Sequence, residues 1–322
     1  MSRAFLIYVP VLLSSLVAML FSGCGSDPKT APVEVHRLDL ALRGGSPLDA
    51  DCKNAAAELF RISGYGELND SSLSRYASAP GIRLHERAVD SVWNARRITK
   101  LESSLGNMKS RMAHIFPDMR FPGVYAIVSP FNQSVFTVDT VLYLGLNHYL
   151  GQTYEPYGYF PDYVRARKVP GRVLPDIAEA LLRRDYPYQP QGDYPTALSR
   201  LLYEGALVEA EMQLSGVSEQ EALGYDDGQM AWLNNNEKEL WETIVGRKYL
   251  FSTDPQIALS LVNLSPFTGL FGQEVPGAVG RFIGHRIISS YLDNHAVPLS
   301  ELLSPSFYES TTALADSRYR QI

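Results

Sequence analysis

One N-terminal stretch constrains what everything after it can be. Residues 4–21, AFLIYVPVLLSSLVAMLF, form an uncharged apolar run behind Arg3, and Ser22-Gly23 place two small residues directly before Cys24. A positive start, an apolar core and small residues at a cut is the order of a secretory signal. The run is also near the length of a membrane span, so an uncleaved anchor is the alternative. No later apolar run is long enough to cross a bilayer. The chain beyond Cys24 is therefore expected to fold and work in the envelope as one water-exposed body.

A cysteine directly after the cut resembles a bacterial lipoprotein signal, in which that thiol is acylated. Phe21 stands where leucine is usual. Each buried acyl methylene contributes about 0.8 kcal/mol, and two or more chains, palmitate among them, hold lastingly where one does not. Acylation of Cys24 leaves Cys52 as the second of two cysteines, without an intramolecular partner, and the sequence DADCKNAAAELF around it reads as helix with Cys52 in the core. The expected organisation is a signal peptide over 1–23, a lipidated tether over 24–34 and a single domain over 35–322.

Removal of 23 from 322 residues leaves 299, ample for a sizeable core, and 45% hydrophobic residues suit a globular chain. The net charge of −6, with the densest basic cluster only Arg165-Ala166-Arg167-Lys168, excludes nucleic acid as the expected partner. A short extended segment, VHRLDLAL, precedes helical spacing over 47–116. FPGVYAIVSPFNQSVFTVDTVLYLGLN then carries β-branched and aromatic runs, with a hairpin signal at Ser129-Pro130-Phe131-Asn132. Helical spacing returns over 173–184, 196–214, 217–224, 227–246 and 275–293, with Pro276 placed in the first turn of the last. The expected fold class is α+β: a mostly helical domain with a small sheet or hairpin.

No two of the six histidines lie at i, i+3 or i+4, and HExxH, GxSxG, phosphate-loop and dinucleotide signatures are absent. No catalytic residue, metal site or cofactor is assigned, and the chain is expected not to be an enzyme. The order of strands, the helix VLPDIAEALLRR and the helix LLYEGALVEAEM is nonetheless that of zinc peptidases whose first helix carries HExxH and whose second supplies a glutamate. The residues at those places are Asp176 and Glu179 on one face, then Glu204, Glu209 and Glu211, with His148 and His285 available from elsewhere. Carboxylates alone suit calcium or magnesium better than zinc, so a divergent metal-dependent hydrolase stands as the alternative function. Tyr154, Tyr157, Tyr159 and Tyr163 belong to a tyrosine-rich loop, an interface candidate or a glycan- or peptidoglycan-binding one. Gly280 and Gly284 make a small-residue pair that lets another element approach closely.

Several segments in order resemble the GldB-type gliding-motility lipoproteins of Bacteroidota. They are VHRLDL, FPG, VDTVLYLGLNHYLG, VLPDIAEALL, LLYEGALVEAEM, QMAWLNNNEKELWETIV, KYLFSTD, VPGAVGRFIGHRIISSYL and the C-terminal SRYR. The family's Gly-Lys on the second helix is Gly205-Ala206 here. The resemblance implies an envelope lipoprotein tied to gliding or to type IX secretion. It also implies a scaffold similar to a gluzincin-like zinc peptidase that has lost HExxH. Its expected partners are the membrane, through the anchor, and other envelope, motility or secretion proteins. The periplasmic face of the outer membrane is the expected address, with the single Asp27 a weak export cue.

Overall fold

The structure is a computed structural model that describes residues 30–44, 48–129 and 133–319. Cys24, the signal segment, Pro130–Asn132 and the end of SRYR lie outside the described residues. The elements run β1 (Val35–His36), α1 (Leu38–Gly44), α2 (Ala50–Ile62), α3 (Asp70–Ser78), α4 (Pro80–Val92), α5 (Ala95–Ile115), β2 (Gly123–Ile127), β3 (Val135–Val138) and β4 (Val141–Gly145). They continue α6 (Asp162–Arg165), α7 (Val173–Asp185), α8 (Ala197–Ser215), α9 (Glu219–Leu223), α10 (Asp227–Gly246), α11 (Pro255–Val262), α12 (Val279–Leu292), α13 (Leu299–Leu302), α14 (Pro305–Tyr308) and α15 (Ala313–Ser317). The fold is α+β, mostly helical, with one small sheet.

That sheet has four strands in the order β1-β2-β4-β3, with β1, β2 and β4 parallel and β3 antiparallel to β4. Val124–Ile127 and Leu142–Gly145 are buried throughout, as strands covered on both faces should be. β3 lies at the edge and is only half-buried. The hairpin falls elsewhere than expected. It turns at Asp139-Thr140, between β3 and β4, with Asp139 in the left-handed region at φ 49°, which aspartate tolerates better than most residues. β2 and β3, the strands on either side of Ser129, do not pair with each other. Asn147 holds Ser129 itself, accepting from its amide at 2.7 Å and donating to its carbonyl at 3.2 Å.

Two further boundaries differ from expectation. Only Val35–His36 of VHRLDLAL is extended, and Leu38 begins a helix that buries Leu38, Asp39 and Leu42. The last long helix begins at Val279, after Ala278 at φ 61°, and Pro276 lies before it in a bridge to Phe267. The Pro276 carbonyl accepts a 2.7 Å bond from the Thr268 hydroxyl, which closes the turn there and ends any helical continuation backwards.

The helices begin where side chains can satisfy their free N–H groups. Thr196 caps α8, Ser218 with Glu221 forms a capping box on α9, and Asp226 with Gln229 forms another on α10. α8 is buried on nearly every face, the signature of a central core helix. α12 crosses it at Gly205 and Gly284. A methyl on Gly205 would fall inside the Gly284 backbone, and one on Gly284 would fall inside the Leu201 carbonyl. Gly280, one turn earlier, meets the backbone of Leu261 on α11 in the same way. Cys52 is a buried free thiol on α2, and burial with Asp49 beside it pushes its pKa up to about 11.

Candidate functional site

α7, α8 and α12 converge under a cleft of about 1040 Å³, walled also by the loop before α7, the α9–α10 turn and the segment 262–278. Its floor is a set of arginine–carboxylate pairs. Glu204, on α8 and 1% exposed, is the hub. Arg183 of α7 forks onto both of its oxygens, at 3.1 and 2.7 Å. Arg200, one turn earlier on α8, lies 2.8 Å from Oε1, and Arg281 of α12 lies 3.6 Å from Oε2.

Glu179 shares two of those arginines, Arg183 at 2.8 Å and Arg281 at 3.6 Å. Burial alone would raise its pKa, but Arg281, Arg183 and Arg167 outweigh burial and hold the carboxyl well below the usual range. The reciprocal effect raises Arg183 and Arg281 against their own burial. Glu211 accepts from Arg281 at 2.7 Å on Oε1, while its buried Oε2 has no hydrogen-bond partner among the described residues. Burial, helped by the neighbouring Glu179, pushes Glu211 up to about 8.

Asp176 is fully engaged at the other end of α7. Its Oδ1 accepts from Arg172 at 2.7 Å and its Oδ2 from the buried Tyr149 hydroxyl at 2.9 Å. Arg172 and Arg167 also donate to the last carbonyls of α9, those of Glu221, Ala222 and Leu223. This is favourable placement for cations at a helix C-terminus. Gly224, at φ +74°, ends that helix, and a methyl there would collide with Arg167.

The remaining site candidates are dispersed. His285 on α12 faces Glu219 of α9 through Nδ1 at 2.7 Å and Glu209 of α8 through Nε2 at 2.9 Å. Burial opposes its protonation, but the two carboxylates outweigh burial and raise its pKa. Glu209 thus belongs to the histidine and not to Glu204. His148 lies under the tyrosine loop, with Nδ1 2.8 Å from Lys168 Nζ. Burial brings that lysine down to about 8.

The tyrosine loop divides. Tyr157 is buried, receives the Leu150 amide at 3.2 Å and donates to the Asn147 carbonyl, so as an interface residue it is corrected to a core one. Tyr154 pairs with His85 at 3.1 Å, Tyr163 lines the cleft and Tyr159 is 76% exposed.

The sequence reading singled out the acids and left out the arginines that hold them. The signal was available: Glu179 with Arg183, and Arg200 with Glu204, stand at i,i+4, the spacing of a helical ion pair. Among the described residues no group of three or more His, Cys, Asp or Glu side chains is placed to hold a metal ion. The gluzincin-like resemblance gains no support from the site or from solved structures.

Fold and site together define a mostly helical α+β domain built over a cleft of paired arginines and carboxylates. The chain belongs to the family described as gliding motility protein GldB, whose model matches residues 27–321. It is thus a gliding-motility-associated lipoprotein of the cell envelope. No curated protein and no solved structure matches it. No helix among the described residues is long and apolar enough to cross a membrane.

Proposed function

We propose that this chain is a non-enzymatic envelope component, lipid-anchored through Cys24 to the periplasmic face of the outer membrane. It would work by contact with other motility or type IX secretion proteins. One observation carries the non-enzymatic part. The acids at the places where a peptidase would present ligands and base are already committed: both oxygens of Glu204 are held by Arg183, and both of Asp176 by Arg172 and Tyr149. A carboxylate gripped by a guanidinium fork is a poor base and a poor metal ligand, because either role would cost that charge-assisted pair.

Family membership supports an envelope lipoprotein associated with gliding motility. The test is crosslinking in intact cells of the tagged, lipidated chain, followed by isolation from membranes. Reproducible envelope partners at fixed stoichiometry are expected, and recovery of the chain alone would overturn the contact role. Elemental analysis of the same material tests the other half. One tightly bound zinc or calcium per chain, lost on Glu204→Ala, would favour the hydrolase.

A further inference from the structure

The basic cluster Arg165-Ala166-Arg167-Lys168 is split three ways by the fold. Arg165 pairs with the exposed Asp162 at the cleft mouth. Lys168 turns inward, against His148 and over the Phe160 ring at 4.4 Å. Arg167 lies in the cleft wall with its side chain 17% exposed.

Arg167 differs from the other arginines of the cleft. Arg183, Arg200 and Arg281 each have a carboxylate within 2.8 Å. Arg167 donates one bond to the Leu223 carbonyl at 3.0 Å, and its nearest carboxylate, Asp176, is 3.9 Å away. Both oxygens of Asp176 already have closer donors. Burial, with the charge of Arg172 adding to it, lowers the pKa of Arg167, the mark of a cation its surroundings do not fully neutralise. The cleft lining holds five guanidinium groups, Arg165, Arg167, Arg183, Arg200 and Arg281, and four carboxyls, Asp162, Glu179, Glu204 and Asp226.

We propose that the cleft binds a short peptide by its free C-terminal carboxylate, with Arg167 as the group that recognises it. A guanidinium offers a planar fork that a carboxylate matches with two parallel bonds. The alternatives fit less well. A neutral sugar would leave the charge of Arg167 as it is, and a phosphate dianion would bring two charges to the one guanidinium, that of Arg167, whose nearest carboxylate is 3.9 Å away. The other lining groups, among them Gln152, Thr153, Gln229, Asn263 and Ser265, supply amides and hydroxyls of the kind that pair with peptide bonds. The volume of about 1040 Å³ lies at the upper end for small-ligand sites, room for several residues of chain and more than a lone ion needs. This deepens the contact role by naming the chemistry a partner would present, but it stands on the cleft alone.

The test is calorimetric titration of the mature, full-length chain with N-acetyl-trialanine as the free acid and as its C-terminal amide. The acid should bind at least about tenfold more tightly than the amide, a difference of about 1.4 kcal/mol. Arg167→Gln should bring the two peptides to equal affinity, and Arg167→Lys should restore part of the difference. The wild-type acid-to-amide ratio requires no variant, so it decides the matter even if Arg167→Gln fails to fold. Equal affinities, no binding of either peptide at millimolar concentration, or inorganic phosphate binding as tightly as the acid would each overturn the proposal. An absent contrast alongside captured envelope partners removes this inference alone. A clear contrast with no partners captured removes the adaptor role and leaves a peptide receptor.

Discussion

Replacing Glu204 by alanine would leave Arg200 without its carboxylate, and Arg183 and Arg281 with only Glu179 and Glu211, in the floor of the cleft. Removing one member of a buried ion network costs about 3–5 kcal/mol, because the remaining charges stay buried without a partner. The low end applies here, since Arg183 and Arg200 are partly solvated. Urea denaturation of Glu204→Ala should therefore show a lowered midpoint with an unchanged slope. A midpoint within experimental error of wild type would mean that the arginines are adequately served by water and Glu179.

The same floor predicts how stability depends on pH. Glu211 ionises at about 4.5 in an unfolded chain but near 8 when folded, so the folded state holds the extra proton between those values. His285 has its pKa raised above 6.5 by Glu209 and Glu219, so its contribution is complete below about pH 6.5 and is lost as pH rises through its folded value. Stability goes down with pH wherever the folded state binds more protons. Both residues therefore make stability fall as pH rises, Glu211 between about 4.5 and 8 and His285 from about 6.5 upward. Equilibrium denaturation across that range should show the decline, and Glu211→Gln should flatten its part below about pH 8. Unchanged slopes in the variant would show that Arg281 keeps Glu211 ionised.

At the scale of elements, α8 and α12 cross so closely at Gly205 and Gly284 that neither position has room for a side chain. A methyl at Gly205 or Gly284 cannot be absorbed by a rotamer change, since what it meets is backbone. Overpacking a core commonly costs about 1–3 kcal/mol, and a backbone clash lies at the upper end or beyond. Gly205→Ala should lower the thermal midpoint by several degrees, and Gly284→Ala should do so at least as strongly. Gly81→Ala, whose added methyl meets nothing within 4 Å, should be close to neutral. This contrast separates packing from any general effect of replacing glycine.

Much of this level was legible in the sequence. The 3.6-residue period gave α7, α8 and α10 to within a residue or two, and Gly280 with Gly284 announced a close approach, though not which helix would make it. The sheet was less legible. Strand pairing is set by long-range register, and β2 pairs in parallel with β4 across an intervening strand that no local signal orders. The hairpin was misplaced because Ser-Pro and Asn are generic breakers, whereas the actual turn at Asp139 needs only one residue with positive φ. The cleft was half visible. Acids spaced along α7 and α8 could be read, but Arg281 and Glu219 join them only through tertiary packing.

For the molecule as a whole, the way it is held to its membrane decides how the cleft can meet a partner. Two routes remain physically distinct. Acyl chains on Cys24 would leave the mature chain beginning at that residue. An uncleaved run over residues 4–21 would keep the N-terminus across the bilayer. Two acyl chains bury enough methylenes, at about 0.8 kcal/mol each, to hold as lastingly as function requires. The substitution Cys24→Ser separates the routes, since it removes the thiol that carries lipid and leaves every apolar residue of the run in place. Cells fed a labelled fatty acid should incorporate it into the wild-type chain and not into Cys24→Ser. The variant should also keep its signal, and so run as a larger species, because lipid attachment precedes cleavage. In wild type, mass spectrometry of the N-terminal peptide should show Cys24 as the first residue. An unlabelled wild-type chain, with the variant identical to it in size and in membrane retention, would mean that the apolar run itself spans the membrane. The domain would then be tethered to the inner bilayer and not the outer one. Protease added to intact cells completes the placement: a periplasm-facing domain is spared until the outer membrane is permeabilised, and digestion beforehand would place the cleft on the cell surface.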